Sequence, residues 1–255
     1  MGEPGFFLWV ETFEAEARRR VTHGDPDWAQ GARLDCAVVR SIQRFQVGES
    51  GDGANLIETA ETAGGADYVA AVRLFVAEEQ NHARLLALLL TAANASTIRR
   101  HWSDVAFVRL RRALGLRLEL MVLLIAEVIA LGYYRALRDG SDDPLTRDVA
   151  GRILADERRH VPFHCQRLHA GFVALPRLVW PLVLAVWRSL LYGTALVVVG
   201  DHGAALRELG VTRRRFFMHV AVLFERAIVD VRRGRQTWCG SVPQSTAGRS
   251  SIPTE

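Results

Sequence analysis

Two short strings in this chain carry the same chemistry. In FVAEEQNHARLL, Glu79 stands three residues before His82, and in ILADERRHVPFH, Glu157 stands three before His160. Residues three apart on a helix share a face, so each string can aim a carboxylate and an imidazole at one point. Singly, such a pair is an ordinary surface feature. Two lone acids in apolar settings change its meaning: Glu49 in RFQVGESG and Glu127 in LLIAEVIALGYY. Glu49 precedes Glu79 by 30 residues, as Glu127 precedes Glu157, and one offset of 78 carries Glu49, Glu79 and His82 onto Glu127, Glu157 and His160. Four carboxylates and two imidazoles suit two divalent or trivalent first-row ions, with carboxylates bridging and an imidazole on each ion. Without metal, four acids crowded into an apolar interior would be very costly.

That chemistry needs four helices at one level. The apolar spacing predicts a short amphipathic helix from Phe6 to Arg20, then a long one from Asp35 to Ala63 that stops at Gly64 and Gly65. Further helices are expected from Tyr68 to about Ala93, and from Val105 (capped by Ser103 or Asp104) to about Arg138. Another starts at the Asp143 cap with Pro144 in its first turn and runs to about Leu175. In an antiparallel pair, residues equidistant from the turn lie at the same height. The midpoint of 49 and 79 is Gly64, that of 127 and 157 is Asp142, and both fall in expected turns. Each lone Glu therefore faces its Glu-x-x-His, about 22 Å from the turn. Gly48, Gly51 and Gly53 weaken the first long helix around Glu49, and Asp52 or Glu58 would compete with Glu49 if that helix shifted.

Beyond these helices, residues 178–200 are almost wholly apolar and long enough to span a bilayer. Arg188 at the centre and Pro181 favour a buried or peripheral helix instead. Thr212 caps a last helix, and the Ser-, Gly-, Thr- and Pro-rich tail is expected to be disordered. The implied layout is 1–34 (N-terminal helix and connection), 35–175 (four-helix bundle), 176–233 (two apolar C-terminal helices packed on the bundle) and 234–255 (tail). The 255 residues, 49% hydrophobic, are enough for one sizeable core. There is no Lys, and the 32 arginines are scattered against 28 acids, so the net charge of +4 gives no nucleic-acid face. Three dispersed cysteines suggest free thiols, and the acidic N-terminus does not read as a signal peptide, so a cytoplasmic location is expected.

With these residues in place, the chain resembles the ferritin-like di-iron carboxylate proteins, in which two helices give one Glu each and two give Glu-x-x-His. EEQNH and DERRH also resemble the paired motifs of soluble acyl-carrier-protein desaturases. The resemblance covers roughly Asp35 to Leu175. It implies an all-α, ferritin-like four-helix bundle with Glu49, Glu79, His82, Glu127, Glu157 and His160 as ligands and Glu79 and Glu157 as bridges. It also implies two iron ions, or Mn with Fe, as cofactor. His164 shares the face of His160 and is either a further ligand or a hydrogen-bonded neighbour beyond Pro162, which can kink the helix. Gln46, one turn from Glu49, could hydrogen-bond a ligand. Glu78 and Asp156 should point elsewhere, although Asp156 could orient an imidazole from a neighbouring helix. Tyr133 and Tyr134 read as packing, and Glu119 as an exposed or supporting acid. His169, His202 and His219 are structural on this reading. The expected function is an oxidoreductase that uses O2 and an external electron donor to oxidise an apolar organic or acyl substrate, with a ferroxidase as the alternative. Peripheral membrane contact through 178–200 and a homodimer are compatible with this reading.

Overall fold

The computed structural model describes residues 5–101 and 115–234, and among these every regular element is helical. The α-helices are α1 (Phe6–His23), α2 (Cys36–Glu49), α3 (Ala54–Ala63), α4 (Ala66–Ala92), α5 (Gly115–Gly140), α6 (Pro144–Val173), α7 (Trp180–Asp201), α8 (Gly203–Glu208) and α9 (Arg213–Arg233). The cap expected at Ser103 or Asp104, the helix start at Val105, Cys239 and the tail from 235 on lie outside the described residues.

Several helix starts follow from local chemistry. The Asp35 carboxylate accepts from the Ala37 N–H at 2.6 Å, Asp143 from Thr146 at 2.8 Å and the Thr212 hydroxyl from Arg215 at 3.1 Å. Each satisfies an N–H that the first turn leaves open. Pro144 sits in the first turn of α6, where its missing N–H is no loss. The helix continues through Pro162 to Val173.

α2 with α3 pairs against α4, and α5 pairs against α6. Contacts of α4 with α6 and of α3 with α5 close the bundle. The turns fall at Gly64–Gly65 and at 141–143, as the midpoints require. Val72, Phe75, Leu86, Leu124, Val128 and Ile153 are buried between the hairpins, each contributing roughly 1.5–3 kcal/mol by leaving water. Outside the bundle, α1 packs on α4, with Phe6 and Phe13 buried, and α9 packs on α5 and α6.

Two expectations need correction. The helix expected from Asp35 to Ala63 is two helices, broken after Glu49. Gly53 adopts φ +65, and a Cβ there would lie 2.5 Å from Val76 Cγ1, so the backbone closes on α4 in a way that only glycine permits. Asp52 and Glu58 are exposed and do not compete with Glu49. At the other end, only the first of the two C-terminal helices is apolar over most of its length. α9 is amphipathic, burying Phe216, Val220, Phe224, Ile228 and Val231 and presenting arginines elsewhere, and the short α8 precedes it.

Among the described residues, two helices are apolar and long enough to cross a membrane by length and composition, and they differ in burial. The 116–140 helix is the bundle's core helix, 83% buried over its most apolar window, whereas 177–201 is 28% buried. Pro181 lies in the first turn of α7 rather than interrupting it. Trp187 anchors the inner face, donating to the Met121 carbonyl at 2.9 Å, and Arg188 is paired with Glu225 of α9 at 2.7 and 2.8 Å. Leu182, Val186 and Leu196 stand exposed on the outer face.

Gly53→Ala is expected to lower stability in urea unfolding by about 1–3 kcal/mol, through positive φ and overlap with Val76. Wild-type stability would show that the close approach is not required.

Candidate metal centre

Each bundle helix delivers its share of the site at one level. Glu49 is the last residue of α2, Glu79 and His82 lie mid-way along α4, Glu127 on α5, and Glu157 and His160 on α6. The structure brings all six together in two overlapping sets: Glu49, Glu79, His82 and Glu157, and Glu79, Glu127, Glu157 and His160. Within each set the donor atoms lie within 4.8 Å of one another. Glu79 and Glu157 belong to both sets and so occupy the positions of bridging carboxylates. His82 and His160 are fully buried, and Glu127 and Glu157 nearly so. Glu49 is 9% exposed and the Glu79 side chain 19%, so these two carboxylates are the less enclosed members of the cluster.

The orientation of the imidazoles is informative. His82 turns Nε2 toward Asp156 Oδ2 at 3.1 Å, and His160 turns Nε2 toward Glu78 Oε2 at 3.0 Å. A carboxylate partner requires a proton on Nε2, which leaves Nδ1 to face inward. His82 Nδ1 lies 3.4 Å from Glu79 and 3.5 Å from Glu157, and His160 Nδ1 lies 3.2 Å from Glu79, 3.4 Å from Glu127 and 3.6 Å from Glu157. Both Nδ1 atoms, Glu79 Oε1 and Glu157 Oε2 are buried with no hydrogen-bond partner among the described residues. Buried polar atoms are rarely left so. Converging orphaned donors of this kind, each imidazole backed by a carboxylate, fit a pair of first-row metal ions.

The supporting acids are exchanged across the bundle. Asp156 of α6 holds the imidazole of α4, and Glu78 of α4 holds the imidazole of α6. Glu78 does point away from the centre as expected, but to the other helix's histidine. Its signal was in the sequence, because the offset of 78 also carries Glu78 onto Asp156. Arg20 of α1 ties the two acids together, reaching Glu78 at 2.5 Å and Asp156 at 3.5 Å, and Arg159 bonds both from the other side. No local pattern marks Arg20.

Tyr134, expected to be packing alone, donates its hydroxyl to Glu49 Oε1 at 2.6 Å. Tyr133 accepts from Ser41, which also meets His202. Glu119 is buried rather than exposed and accepts from Asn55 and Thr59 of α3. Gln46 is half-buried and makes no hydrogen bond to the cluster among the described residues. His169 bonds the Val231 carbonyl and His219 meets Arg135, consistent with structural roles. His164 is fully buried beside Glu127, and burial lowers its pKa to about 4, so the ring is neutral.

Electrostatics follow from crowding. Burial alone would lower the pKa of both inward histidines. The carboxylates outweigh it, Asp156 and Glu79 lifting His82 and Glu127 and Glu157 lifting His160 well above the imidazole range. Burial, reinforced by Glu79, raises Glu49, and burial, reinforced by Glu127, raises Glu157. Against burial, His160 and His82 hold Glu79 well below the usual carboxylate range, so protons relieve the cluster only in part when ions do not.

Ions must displace these protons, so the affinity of the protein for Co(II) is expected to rise as pH rises through and above neutrality, with proton release on loading. Titration at several pH values checks this, and pH-independent binding would contradict it. Glu78→Gln and Asp156→Asn should each weaken binding by roughly 10–100-fold by freeing one imidazole. Unchanged affinity in competition titrations would show that these acids do not position the rings.

No protein-family model matches the chain, and no curated protein matches it. Among solved structures, the chain is similar to a variant of an R2-like ligand-binding oxidase with an anaerobically reconstituted Mn/Fe cofactor. The TM-score is 0.63 at 13% identity, covering 91% of this chain and 94% of that one. A likeness of that extent at that identity speaks to architecture alone. The chain has the ferritin-like fold of the di-metal carboxylate proteins.

Proposed function

We propose that this protein is a di-metal carboxylate oxidoreductase that uses O2, with electrons from an external donor, to oxidise an apolar organic substrate. One observation carries the reading: two donor sets share Glu79 and Glu157, and each contains a buried imidazole with Nδ1 turned inward. Iron at both positions, or manganese with iron, suits these nitrogen and oxygen donors. The similar oxidase, which holds Mn/Fe, supports the reading. Such a pair of ions, when bound, supplies reversible one-electron chemistry at which O2 can be reduced.

The chain's own residues do the rest. Glu78 and Asp156 keep both rings in the ligating tautomer. Tyr134 holds Glu49 by its Oε1 at 2.6 Å, fixing that carboxylate at the end of α2. Phe75 and Phe13 pack edge-on or tilted against the His160 ring and exclude water from that side.

A lipid surface is the partner we assign to α7. Leu178 just before α7 and Leu182, Val186 and Leu196 on it are each 52% exposed or more, and the exposed Arg177 preceding the helix can meet anionic headgroups. The arrangement suits a protein that collects an apolar substrate, such as a fatty acyl group, from a membrane it does not cross.

Metal analysis after anaerobic loading should give about two ions per folded chain, and Glu79→Ala should bind fewer. With a reductant, O2 and a lipid extract, an oxidised organic product is expected. Iron turnover with no organic product would favour a ferroxidase instead, and no metal binding would overturn both. Vesicles containing anionic lipid should sediment the wild type and not the L182E/V186E double variant. Equal sedimentation of both, or none of the wild type, would remove the membrane assignment.

A further inference from the structure

His164 is a buried group that the six-ligand centre does not use. It lies on α6 one turn beyond His160, four residues on and seven from Glu157, and so projects to the same face. It is fully buried, and neither ring nitrogen has a hydrogen-bond partner among the described residues. No hydrogen bond among the described residues therefore supports the reading of a hydrogen-bonded structural histidine. The other buried histidines are held: His82 by Asp156, His160 by Glu78 and His202 by Ser41. Around His164 the walls are aromatic, with Phe75 edge-on at 4.7 Å and Phe163 at 5.1 Å between ring centres. The polar group it faces is Glu127. His164 Nε2 is 3.9 Å from Glu127 Oε1, beyond hydrogen-bond length, while Glu127 Oε2 is 3.4 Å from His160 Nδ1. Glu127 thus stands between two imidazoles.

The internal repeat sharpens the point. The offset of 78 that relates the two halves of the centre carries Leu86 onto His164. Leu86 fills its place in the core completely. An apolar side chain therefore serves that position in one half, and an imidazole without a partner costs stability in the other unless something binds it.

We propose that His164 is a nitrogen ligand of the ion held by Glu127 and His160. The centre is then unequal: one imidazole on the Glu49 side and two on the Glu127 side. The richer nitrogen set makes the Glu127 position more selective for the later first-row ions, whose preference for imidazole is greater. This rests on the metal-centre reading given above.

Co(II) added alone to the metal-free full chain tests it. Each imidazole bound to Co(II) keeps one N–H, which gives a far-shifted, solvent-exchangeable proton signal. Three such signals are expected in the wild type at full loading, and two in His164→Phe, with one ion bound at least about tenfold more weakly. His164→Leu, which copies the Leu86 side, is the second variant should Phe disturb folding, and circular dichroism reports the fold of each. Two signals in the wild type, or a variant with unchanged spectrum and affinity, would overturn the assignment of His164 while leaving the centre intact. Failure of the folded wild type to bind Co(II) would overturn the centre and this ligand together.

Discussion

The structure depends on one costly arrangement: four carboxylates and two imidazoles at a single level inside an apolar four-helix bundle. An unpaired buried charge costs several kcal/mol even after relaxation, and like charges at this spacing raise that further. Protons can relieve the cluster in part, and two divalent ions cancel its four negative charges. The bundle supplies the other requirement, since helices held by leucine, valine and phenylalanine contacts keep the donors from moving apart to find water.

Around this centre lies a polar layer that closes a circuit. Each imidazole gives its outer N–H to an acid on the facing helix, and Arg20 and Arg159 hold those two acids in common. The hydrogen bonds within the layer are charge-assisted and mostly buried, where they are stronger and more directional than at a surface. Through Arg20, a helix outside the bundle becomes part of the centre's support. That explains why α1 covers α4 at this height, with Phe13 beside the His160 ring.

The two halves of the bundle are alike in their ligands and supporting acids and differ where one extra polar group meets each lone Glu. Tyr134 donates to Glu49, and the residue 78 positions earlier is Leu56, buried in the core. His164 faces Glu127, and its counterpart is Leu86. The first lone Glu is the last residue of α2, and the second lies in the middle of the continuous α5. Unequal surroundings of this kind let two chemically similar positions hold ions with different ease.

The six candidate ligands and the heights of the turns were legible in the sequence because both are properties of single helices and their hairpins. A helix advances by a constant rise, so spacing along the chain becomes height in the bundle, and residues three apart must share a face. Glu78 and Asp156 were half legible, marked by the same offset but without a visible target. The break after Glu49, the reach of Arg20, the bond from Tyr134, the isolation of His164 and the uncovered face of α7 were decided by tertiary structure alone. Each depends on how one helix is rotated against another, and so on which side chains meet, which backbone approaches closely and which apolar face is left without a cover. Sequence spacing sets what a helix presents, and packing sets what it meets.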